Sequence, residues 1–265
     1  MVTESPVTGD ASVAESARSV VFELDNYDLT GFLAVASGFG TEKYGFVATP
    51  NVDGLIRQYE NDWFRSHCAQ AAYVLLDSRV AALLFRLVHG LRISVCPGSD
   101  LTAALFRQVI LPSDRVVLIG STEPQAQFLR ERFGLRDLCH HNPPMGFIND
   151  EAAVEACLQF VEAASPFRFC LLAIGDPMGV IIAQKLFDRG RSRGLALVVG
   201  ASVDFITGKQ RRAPTWMQRI GFEWLYRLLQ NPRRLARRYL IRGPKFFLYV
   251  LASKVLLRPS GTGAT

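Results

Sequence analysis

Short and nearly continuous apolar runs alternate along most of the chain with stretches of helical periodicity. A strand that is buried on both faces of a parallel sheet needs such a run, because neither of its faces meets water. Five runs have this character: Gly45 to Thr49, Ala72 to Leu76, Arg115 to Ile119, Phe169 to Ile174 and Leu195 to Val199. The pattern predicts five strands of one mainly parallel sheet.

A turn or a polar residue follows each predicted strand, and a helical pattern follows most of these turns. The pattern is clear at Glu123 to Phe133 and at Glu151 to Ala164. Repeated strand-turn-helix units predict an α/β fold with a Rossmann-like sheet, whose ligands bind at the carboxyl ends of the strands. We therefore expect function at five turns: Pro50-Asn51, Asp77-Ser78, Gly120-Ser121, Gly175-Asp176 and Gly200-Ala201.

The pattern changes after Gly208, where helices are predicted without strands between them. The three predicted helices each have a proline at the first position, and they span Pro214 to Leu229, Pro232 to Ile241 and Pro244 to Leu256. We predict four segments: a disordered tail at 1–18, a Rossmann-like core at 19–208, a helical appendage at 209–258 and a disordered tail at 259–265. A chain cut after Gly208 is expected to remain a soluble core.

Charge is distributed unevenly between these segments. Residues 209–258 hold 13 Lys or Arg and a single acid, Glu223, whereas the rest of the chain is net acidic. A basic end indicates an anionic partner, which is either a nucleic acid or a lipid surface. The aromatic and aliphatic run Phe246 to Leu251 suits an anionic membrane surface better than a DNA groove. Salt-sensitive DNA binding through Arg233 to Lys245 and an amphipathic helix packed on its own domain remain the alternatives.

Composition and cysteine usage narrow the class of protein further. The 265 residues are 49% hydrophobic and 20% charged, which excludes general disorder and suffices for one large α/β domain. The chain has an odd number of cysteines, five, and no two of them have the CxxC spacing. This favours a location in the reducing cytoplasm over a set of disulfides. The start has no signal-peptide pattern, and the apolar stretch Phe246 to Leu257 is too short to span a bilayer. We expect a protein that lies on a membrane without crossing it.

Two polar groups at predicted strand ends are candidates for chemistry. Asp77 ends a buried strand, where a carboxylate could accept a proton from a substrate hydroxyl, but it also suits the cap of a helix that begins near Arg79. Thr49 and Asn51 could bind a phosphate or a sugar, and they equally suit an ordinary turn.

Other common catalytic patterns are weak or missing. The Gly120-Ser121-Thr122 turn has neither the GxGxxG nor the P-loop spacing, and no GxSxG motif is present. Adjacent His140 and His141 on an extended chain would point to opposite faces, and no partner motif supports a metal site. We expect neither a metal nor an organic cofactor.

A long motif in the C-terminal part resembles the WecG/TagA/CpsF family of bacterial glycosyltransferases, which have "RAP.W" followed by "EW..RL..P.R..RR". The corresponding residues here are Arg212-Ala213-Pro214, Trp216, Glu223-Trp224, Arg227-Leu228, Pro232, Arg234 and Arg237-Arg238. Further matches are Thr49, Asn51, Asp77, Gly98 to Leu101, Asn142 to Gly146, Gly175 with Pro177, and Gly200 to Phe205. The resemblance covers about Tyr44 to Tyr249.

This resemblance implies a metal-independent, inverting transferase. It would move a sugar from a UDP-sugar to a polyprenyl-diphosphate-linked saccharide in cell-surface or exopolysaccharide biosynthesis, as a peripheral protein on the cytoplasmic face of the bacterial inner membrane. The roles implied are general base for Asp77, substrate binding for Thr49 and Asn51, and nucleotide contact for Asp204. Cations for the leaving diphosphate would be Arg227, Arg234 and Arg237.

Three positions depart from the family pattern. Gly179 stands where a pocket glutamine is expected, Val95 stands where an arginine is common, and Ser78 replaces a glycine after the catalytic aspartate. Arg79 is our candidate to supply the missing charge. The departures leave open a non-catalytic homologue that acts as a membrane-associated binding or regulatory subunit. An apolar appendage could also drive homo-oligomer formation.

Overall fold

The structure is a computed structural model that describes residues 20–259. Within this range, the side chains of Thr215, Arg219, Arg234 and Arg238 are not described. The predicted tail at 1–18 and residues 260–265 of the second predicted tail lie outside the described residues.

Six parallel strands form the central sheet, in the order β3-β2-β7-β6-β4-β5. A parallel pair, β1 and β8, lies beside it, and an isolated bridge between Asp25 and Leu75 joins this pair to the β3 edge. The strands of the described residues are β1 (Val21–Leu24), β2 (Tyr44–Ala48), β3 (Tyr73–Val74), β4 (Arg115–Gly120), β5 (Asp137–His141), β6 (Phe169–Ala173), β7 (Gly194–Val198) and β8 (Lys254–Leu257).

Helices follow or connect these strands. Those of residues 20–259 are α1 (Leu29–Gly38), α2 (Val52–Glu60), α3 (Asp62–Ala69), α4 (Arg79–His89), α5 (Gly98–Gln108), α6 (Glu123–Phe133), α7 (Glu151–Ala163), α8 (Met178–Arg189), α9 (Ser202–Ile206), α10 (Thr215–Arg219), α11 (Glu223–Gln230), α12 (Pro232–Ala236) and α13 (Gly243–Ala252). A 3-10 turn at Phe147–Asn149 and a π-helical segment at Arg237–Arg242 complete the elements.

The apolar runs of the sequence form a core on both faces of the central sheet. In β4, Val117 and Ile119 pack in one apolar cluster, and Val116 and Leu118 pack in a second one. Successive side chains of a strand point to opposite faces, so a strand that faces two cores must be apolar throughout. The mainly parallel α/β fold predicted from the sequence is confirmed, and all five predicted strands are present.

The single helix predicted over Pro214 to Leu229 is wrong, because the chain forms two helices there. α10 ends at Arg219, and Gly221 adopts the left-handed conformation with φ of 80°. The Phe222 N–H then closes the helix end on the Met217 carbonyl at 2.8 Å. Left-handed glycine with such a hydrogen bond is a common helix stop, so α11 starts in a new direction at Glu223.

The helix predicted over Pro244 to Leu256 is also too long. α13 ends at Ala252, and Lys254–Leu257 forms β8, which pairs in register with β1. Phe246 and Val250 of α13 are buried in the core cluster that holds Phe22 and Phe85. The C-terminal segment is therefore packed into the fold, and cutting the chain after Gly208 would expose core residues. No helix among residues 20–259 is both long and apolar enough to cross a membrane.

Candidate active site

A cavity of about 330 Å³ opens between the sheet and the C-terminal segment. Its walls come from the amino-terminal ends of α2, α4 and α5 on one side, and from α10, α11, the π-helical segment and α13 on the other. The polar residues of its wall include Asn51, Asp53, Asp77, Ser78, Arg79, Ser99, Gln218, Glu223, Arg227 and Tyr239. Amino-terminal helix ends carry unpaired N–H groups and a partial positive charge, so this side of the cavity favours an anion.

Asp77 lies in this cavity three residues after the end of β3, and two backbone hydrogen bonds hold it there. Its own N–H donates to the Pro50 carbonyl at 3.1 Å, and Oδ1 accepts the Gly98 N–H at 3.2 Å. The alternative that Asp77 caps the following helix is wrong, because Ser78 is the cap residue and its Oγ accepts the Ala81 N–H. The Asp77 carboxylate is therefore available to a ligand in the cavity.

The surroundings of Asp77 raise its pKa from 3.8 to about 7. Burial of the carboxylate is the largest cause, and Glu223 and Asp100 raise the pKa further, while Arg227 and the Gly98 N–H lower it. A carboxylate with a pKa near neutral pH can both take up and release a proton at that pH. Asp77 could therefore accept a proton from a ligand hydroxyl in the cavity at neutral pH.

Arg227 is the cation of α11 that faces the cavity. It pairs with Glu223 at 2.9 Å, and its guanidinium carbon lies 5.0 Å from the centroid of the Phe205 ring. Nε of Arg227 is buried and has no hydrogen-bond partner among the described residues. Because a buried N–H group is costly when unpaired, this nitrogen is suited to receive an anionic ligand.

Arg79 starts α4 at the cavity wall, one residue after the cap, and it is exposed. Within residues 20–259 no hydrogen bond or ion pair holds its guanidinium. Arg79 and Arg227 thus offer two positive charges around Asp77 in one cavity. Together with the three helix ends, which face α11 across the cavity, the two arginines suit the cavity to a diphosphate or a similar anion.

Comparison with known proteins agrees with the cavity's chemistry. Residues 19–260 match the glycosyl transferase WecG/TagA/CpsF family. The chain belongs to this family. A curated relative from Bacillus spizizenii, N-acetylglucosaminyldiphosphoundecaprenol N-acetyl-beta-D-mannosaminyltransferase, is 26% identical over 229 residues, which cover 83% of this chain and 84% of the relative.

Asn51 and Thr49, the other residues assigned from the WecG/TagA/CpsF resemblance, have structural duties. Asn51 lines the cavity and also caps α2, since its Oδ1 accepts the N–H groups of Asp53 and Gly54 at 3.0 and 3.3 Å. The Thr49 hydroxyl donates to the Val198 carbonyl at 3.0 Å, and Thr49 is not among the lining residues. Asn51 can therefore reach a ligand as placed, whereas Thr49 lies outside the cavity wall.

Asp204 lies in a second polar cluster, outside the wall of the cavity. Its Oδ1 accepts from Gln125 Nε2 at 2.8 Å and lies 3.5 Å from the Lys209 ammonium nitrogen. Gln125 Nε2 also donates to the Thr207 hydroxyl at 2.9 Å. The cluster neighbours the cavity through Phe205, whose ring contacts Arg227.

The structure does not place the other two family arginines, Arg234 and Arg237, at the cavity wall. Arg237 starts the π-helical segment, is exposed, and is not among the lining residues of the cavity. The Arg234 side chain is not described. Of the three family arginines, only Arg227 is placed at the cavity by the structure.

Gly179, which stands where the family pattern has a pocket glutamine, is closely packed in this chain. Gly179 is buried in the first turn of α8, and a Cβ there would lie 2.6 Å from Cγ1 of Val198. Real Cβ atoms do not approach a branched side chain this closely, so α8 and β7 pack together through this glycine. Position 179 faces Val198 in this chain, and Gly179 is not among the lining residues of the cavity.

The adjacent histidines are held apart, as expected for an extended chain. His140 contacts Glu123 and the Gly120 carbonyl, whereas His141 stacks on Phe160 with ring centroids 5.2 Å apart. In the part of the chain that the structure describes, no group of three or more His, Cys, Asp or Glu side chains is arranged to hold a metal ion.

Sequence reasoning assigned no role to several residues that shape the site. Glu223, Trp224 and Tyr239 line the cavity, and Asp100 influences the pKa of Asp77. All four belong to the segments that carry the WecG/TagA/CpsF resemblance. The motif was therefore the available signal, but it does not show which of its residues face Asp77.

Proposed function

We propose that the protein is an inverting, metal-independent glycosyltransferase that moves a sugar from a UDP-sugar to a polyprenyl-diphosphate-linked saccharide. The observation that carries the proposal is Asp77, a carboxylate with a pKa of about 7 in a cavity that also presents Arg79 and Arg227. The name of the relative from Bacillus spizizenii supports a lipid-linked N-acetylglucosamine as the acceptor and an N-acetylhexosamine as the transferred sugar.

The proposed reaction is a direct displacement. Ionised Asp77 takes the proton of the acceptor hydroxyl while that oxygen bonds to the anomeric carbon of the donor, and the bond to UDP breaks on the opposite side. The leaving diphosphate gains negative charge, which Arg79 and Arg227 offset, with Arg234 and Arg237 assigned to the same task from the family motif. Inversion at the anomeric carbon follows from the single displacement.

We place the nucleoside part of the donor by the second polar cluster. Asp204, Gln125 and Thr207 are hydrogen-bonding groups at the carboxyl edge of the sheet, where ligands of Rossmann-like folds bind. Phe205 spans the gap to Arg227 at the cavity. Asn51 would contact the sugars. The Thr49 hydroxyl leaves no room for a side chain at Gly98, since a Cβ there would lie 3.0 Å from Oγ1, so Thr49 would help to position the Gly98 N–H that donates to Asp77.

We propose that the protein works as a peripheral protein on an anionic membrane surface, at the cytoplasmic face of the bacterial inner membrane. The C-terminal segment exposes the apolar side chains of Trp216, Ile220, Leu240 and Ile241, and it also exposes Arg237 and Lys245. Exposed apolar groups flanked by cations suit anionic lipid better than nucleic acid. Homo-oligomer formation through the same surface stays a prediction.

The alternative of a non-catalytic homologue loses one of its three supports. Gly179 was one of three departures from the family pattern, beside Val95 and Ser78, and position 179 packs against Val198 in this chain. The base, Asp77, is present and is not used as a helix cap. We therefore favour the enzyme.

The test measures UDP release from a panel of UDP-sugars with undecaprenyl-diphosphate N-acetylglucosamine as the acceptor. We expect one donor to release UDP only when acceptor is present, without loss in a metal chelator, and with a product anomer opposite to that of the donor. Asp77→Asn should lower the rate of release by about two to four orders of magnitude, while Asp62→Asn, at an exposed carboxylate of α3, should not change it. Acceptor-dependent release at an unchanged rate in Asp77→Asn would refute the mechanism, and no release from any donor would refute the function.

A further inference from the structure

Two exposed apolar stripes begin at the cavity and run away from it. On α4 the stripe consists of Val80, Leu83, Leu84 and Leu87, and on α13 of Pro244, Phe247, Leu248 and Leu251. Each set has the spacing i, i+3, i+4, i+7, which places its members on one face of a helix. We call these eight residues the apolar track.

The first part of each stripe belongs to the cavity wall. Val80 and Leu84 of α4 line the cavity, and so do Pro244 and Phe247 of α13. The other four residues are left in solvent, with exposed fractions of 54% for Leu83, 71% for Leu87, 61% for Leu248 and 54% for Leu251. The track is thus continuous with the cavity that holds Asp77.

The two helices run in the same direction and in register. The Phe85 and Phe246 rings pack edge to face with centroids 6.0 Å apart, and a ring nitrogen of His89 lies 3.0 Å from the Val250 carbonyl oxygen. Both pairs are 161 residues apart in sequence, so the helices are parallel and both start at the cavity. These inner contacts leave the two stripes side by side on the outer face.

Charged groups are ordered along the same path. Asp77 and Arg227 lie in the cavity, Arg79 stands at its wall on the first residue of α4, and the apolar residues follow. The stripe from Val80 to Leu87 is about 10 Å long at the usual rise of a helix. A lipid-linked sugar carries hydroxyl, diphosphate and hydrocarbon in this order. An acceptor whose hydroxyl lies at Asp77 would therefore have its diphosphate at the cavity wall, near the site of the donor's leaving diphosphate, and its hydrocarbon on the apolar residues that follow Arg79.

We infer that the apolar track binds the first isoprene units of the acceptor's lipid chain and leads them from the cavity. This inference rests on the proposed function, because it assumes a polyprenyl-diphosphate acceptor. A bilayer contact alone would not require four of the eight residues to line the cavity, whereas a chain attached to the bound diphosphate must leave along its wall. The track would make the enzyme prefer an acceptor that carries a hydrocarbon chain.

The test uses two soluble acceptors in buffer without detergent or vesicles, so that no bilayer contributes. One is farnesyl-diphosphate N-acetylglucosamine, and the other has a methyl group in place of the farnesyl chain. We expect the unmodified protein to bind the farnesyl compound at least about tenfold more tightly, because burying several CH2 groups is favourable. The double variant Leu87→Ser with Leu248→Ser should reduce this ratio to about threefold or less.

The control variant is Leu111→Ser, which changes a leucine of similar exposure (58%) far along the chain from the track. It should keep the farnesyl preference, and melting temperatures should show that both proteins fold. Equal binding of the two acceptors by the unmodified protein, or an unchanged ratio in the double variant, would overturn the inference.

If the double variant keeps the ratio but no longer binds phosphatidylglycerol vesicles, the track contacts the bilayer instead. If it keeps the ratio but no longer self-associates, the track contacts a second copy of the chain. Binding is measured without a sugar donor. A failure of the transfer reaction is therefore detected separately, by the absence of UDP release.

Discussion

The backbone N–H of Gly98 donates to Oδ1 of Asp77 across a distance of 3.2 Å. Gly98 begins α5 and Asp77 follows β3, so a helix end and a strand end meet at the proposed catalytic carboxylate. This bond favours the ionised form, but burial of the carboxylate outweighs it and the pKa rises to about 7. The balance between these effects makes the pH dependence of the enzyme a direct test of the site.

We expect the rate of transfer to rise with pH and to level off above about pH 7, since Asp77 must be ionised to accept a proton. Asp77→Asn should lower kcat by about two to four orders of magnitude. The measurement is a profile of kcat/KM from pH 5 to pH 9. A profile that is flat between these limits would contradict the assignment of Asp77 as the base.

The raised pKa of Asp77 also predicts how stability depends on pH. As the pH rises, Asp77 should destabilise the fold while the rate of transfer increases. Folded Asp77 holds its proton more tightly than the unfolded chain, so its contribution is favourable below about pH 4 and is lost as the pH rises to about 7. Asp77→Asn should therefore raise the free energy of unfolding at pH 8, by roughly 1–4 kcal/mol, and leave it nearly unchanged at pH 4. Denaturant unfolding at the two pH values would check this. Equal effects at both pH values would contradict it.

Substitutions of Asp100 and of Arg212 should shift the pH profile of kcat/KM in opposite directions. Asp100 raises the pKa of Asp77, and its carboxylate is paired with the Arg212 guanidinium. Asp100→Asn removes the negative charge, so the acid limb of kcat/KM should move down by about half a pH unit. Arg212→Met leaves Asp100 unpaired, so the limb should move up. Shifts of the same sign in both variants would show that structural damage, and not charge, is responsible.

Arg79 and Arg227 should each contribute to binding the diphosphate, but only one should affect the base. Arg79→Ala and Arg227→Ala are each expected to lower kcat/KM for the donor by at least about tenfold. Only Arg227→Ala should also move the acid limb upwards, since Arg227 lowers the pKa of Asp77. The control is Arg86→Ala on the exposed face of α4. If Arg79→Ala binds and turns over the donor like the control, the role of Arg79 is refuted.

The sheet was predictable because its strands are buried on both faces. The inner strands have continuous apolar runs, as in β2, β4, β6 and β7. An element at the protein surface would have polar residues on its exposed face, so these runs indicate buried strands. β5 was missed because an edge strand tolerates polar residues, as in Asp137 to His141. β1 and β8 were missed for another reason: they are short, and each is a strand only because it pairs with the other from the opposite end of the chain.

The cavity residues that follow the carboxyl end of a strand were predictable from the sequence. Asp77 and Asn51 follow strands whose carboxyl ends meet, and Arg79 and Arg227 follow from charge and motif. The close packing of Gly179 was not predictable, because a sequence motif does not show which residues of a helix face the sheet. The close approach of α8 to Val198 is a packing fact that only the folded chain contains.

The adjacent residues Phe246 and Phe247 test whether the C-terminal segment is part of the core. Phe246 is 1% exposed and contacts Phe85, whereas Phe247 is half exposed at the cavity. Phe246→Ala should cost about 3–5 kcal/mol of stability, while Phe247→Ala should cost less than about 1 kcal/mol. Chemical denaturation measures both. Equal and small costs would support the earlier expectation of a core that is independent of residues 209–258.

Gly179→Gln should destabilise the protein without raising its activity. Any Cβ at this position would meet Cγ1 of Val198 at 2.6 Å, so α8 would have to move away from β7. We expect a loss of about 1–3 kcal/mol, as for other overpacked cores, and no gain in kcat/KM for any UDP-sugar. The control is Gly175→Gln at an exposed position two residues after β6, where the nearest atom to a Cβ is the Met178 methyl carbon at 3.9 Å. This variant should keep wild-type stability. A Gly179→Gln variant that is stable and transfers sugar faster would show that position 179 does reach the substrate, and that a glutamine there restores a contact this chain lacks.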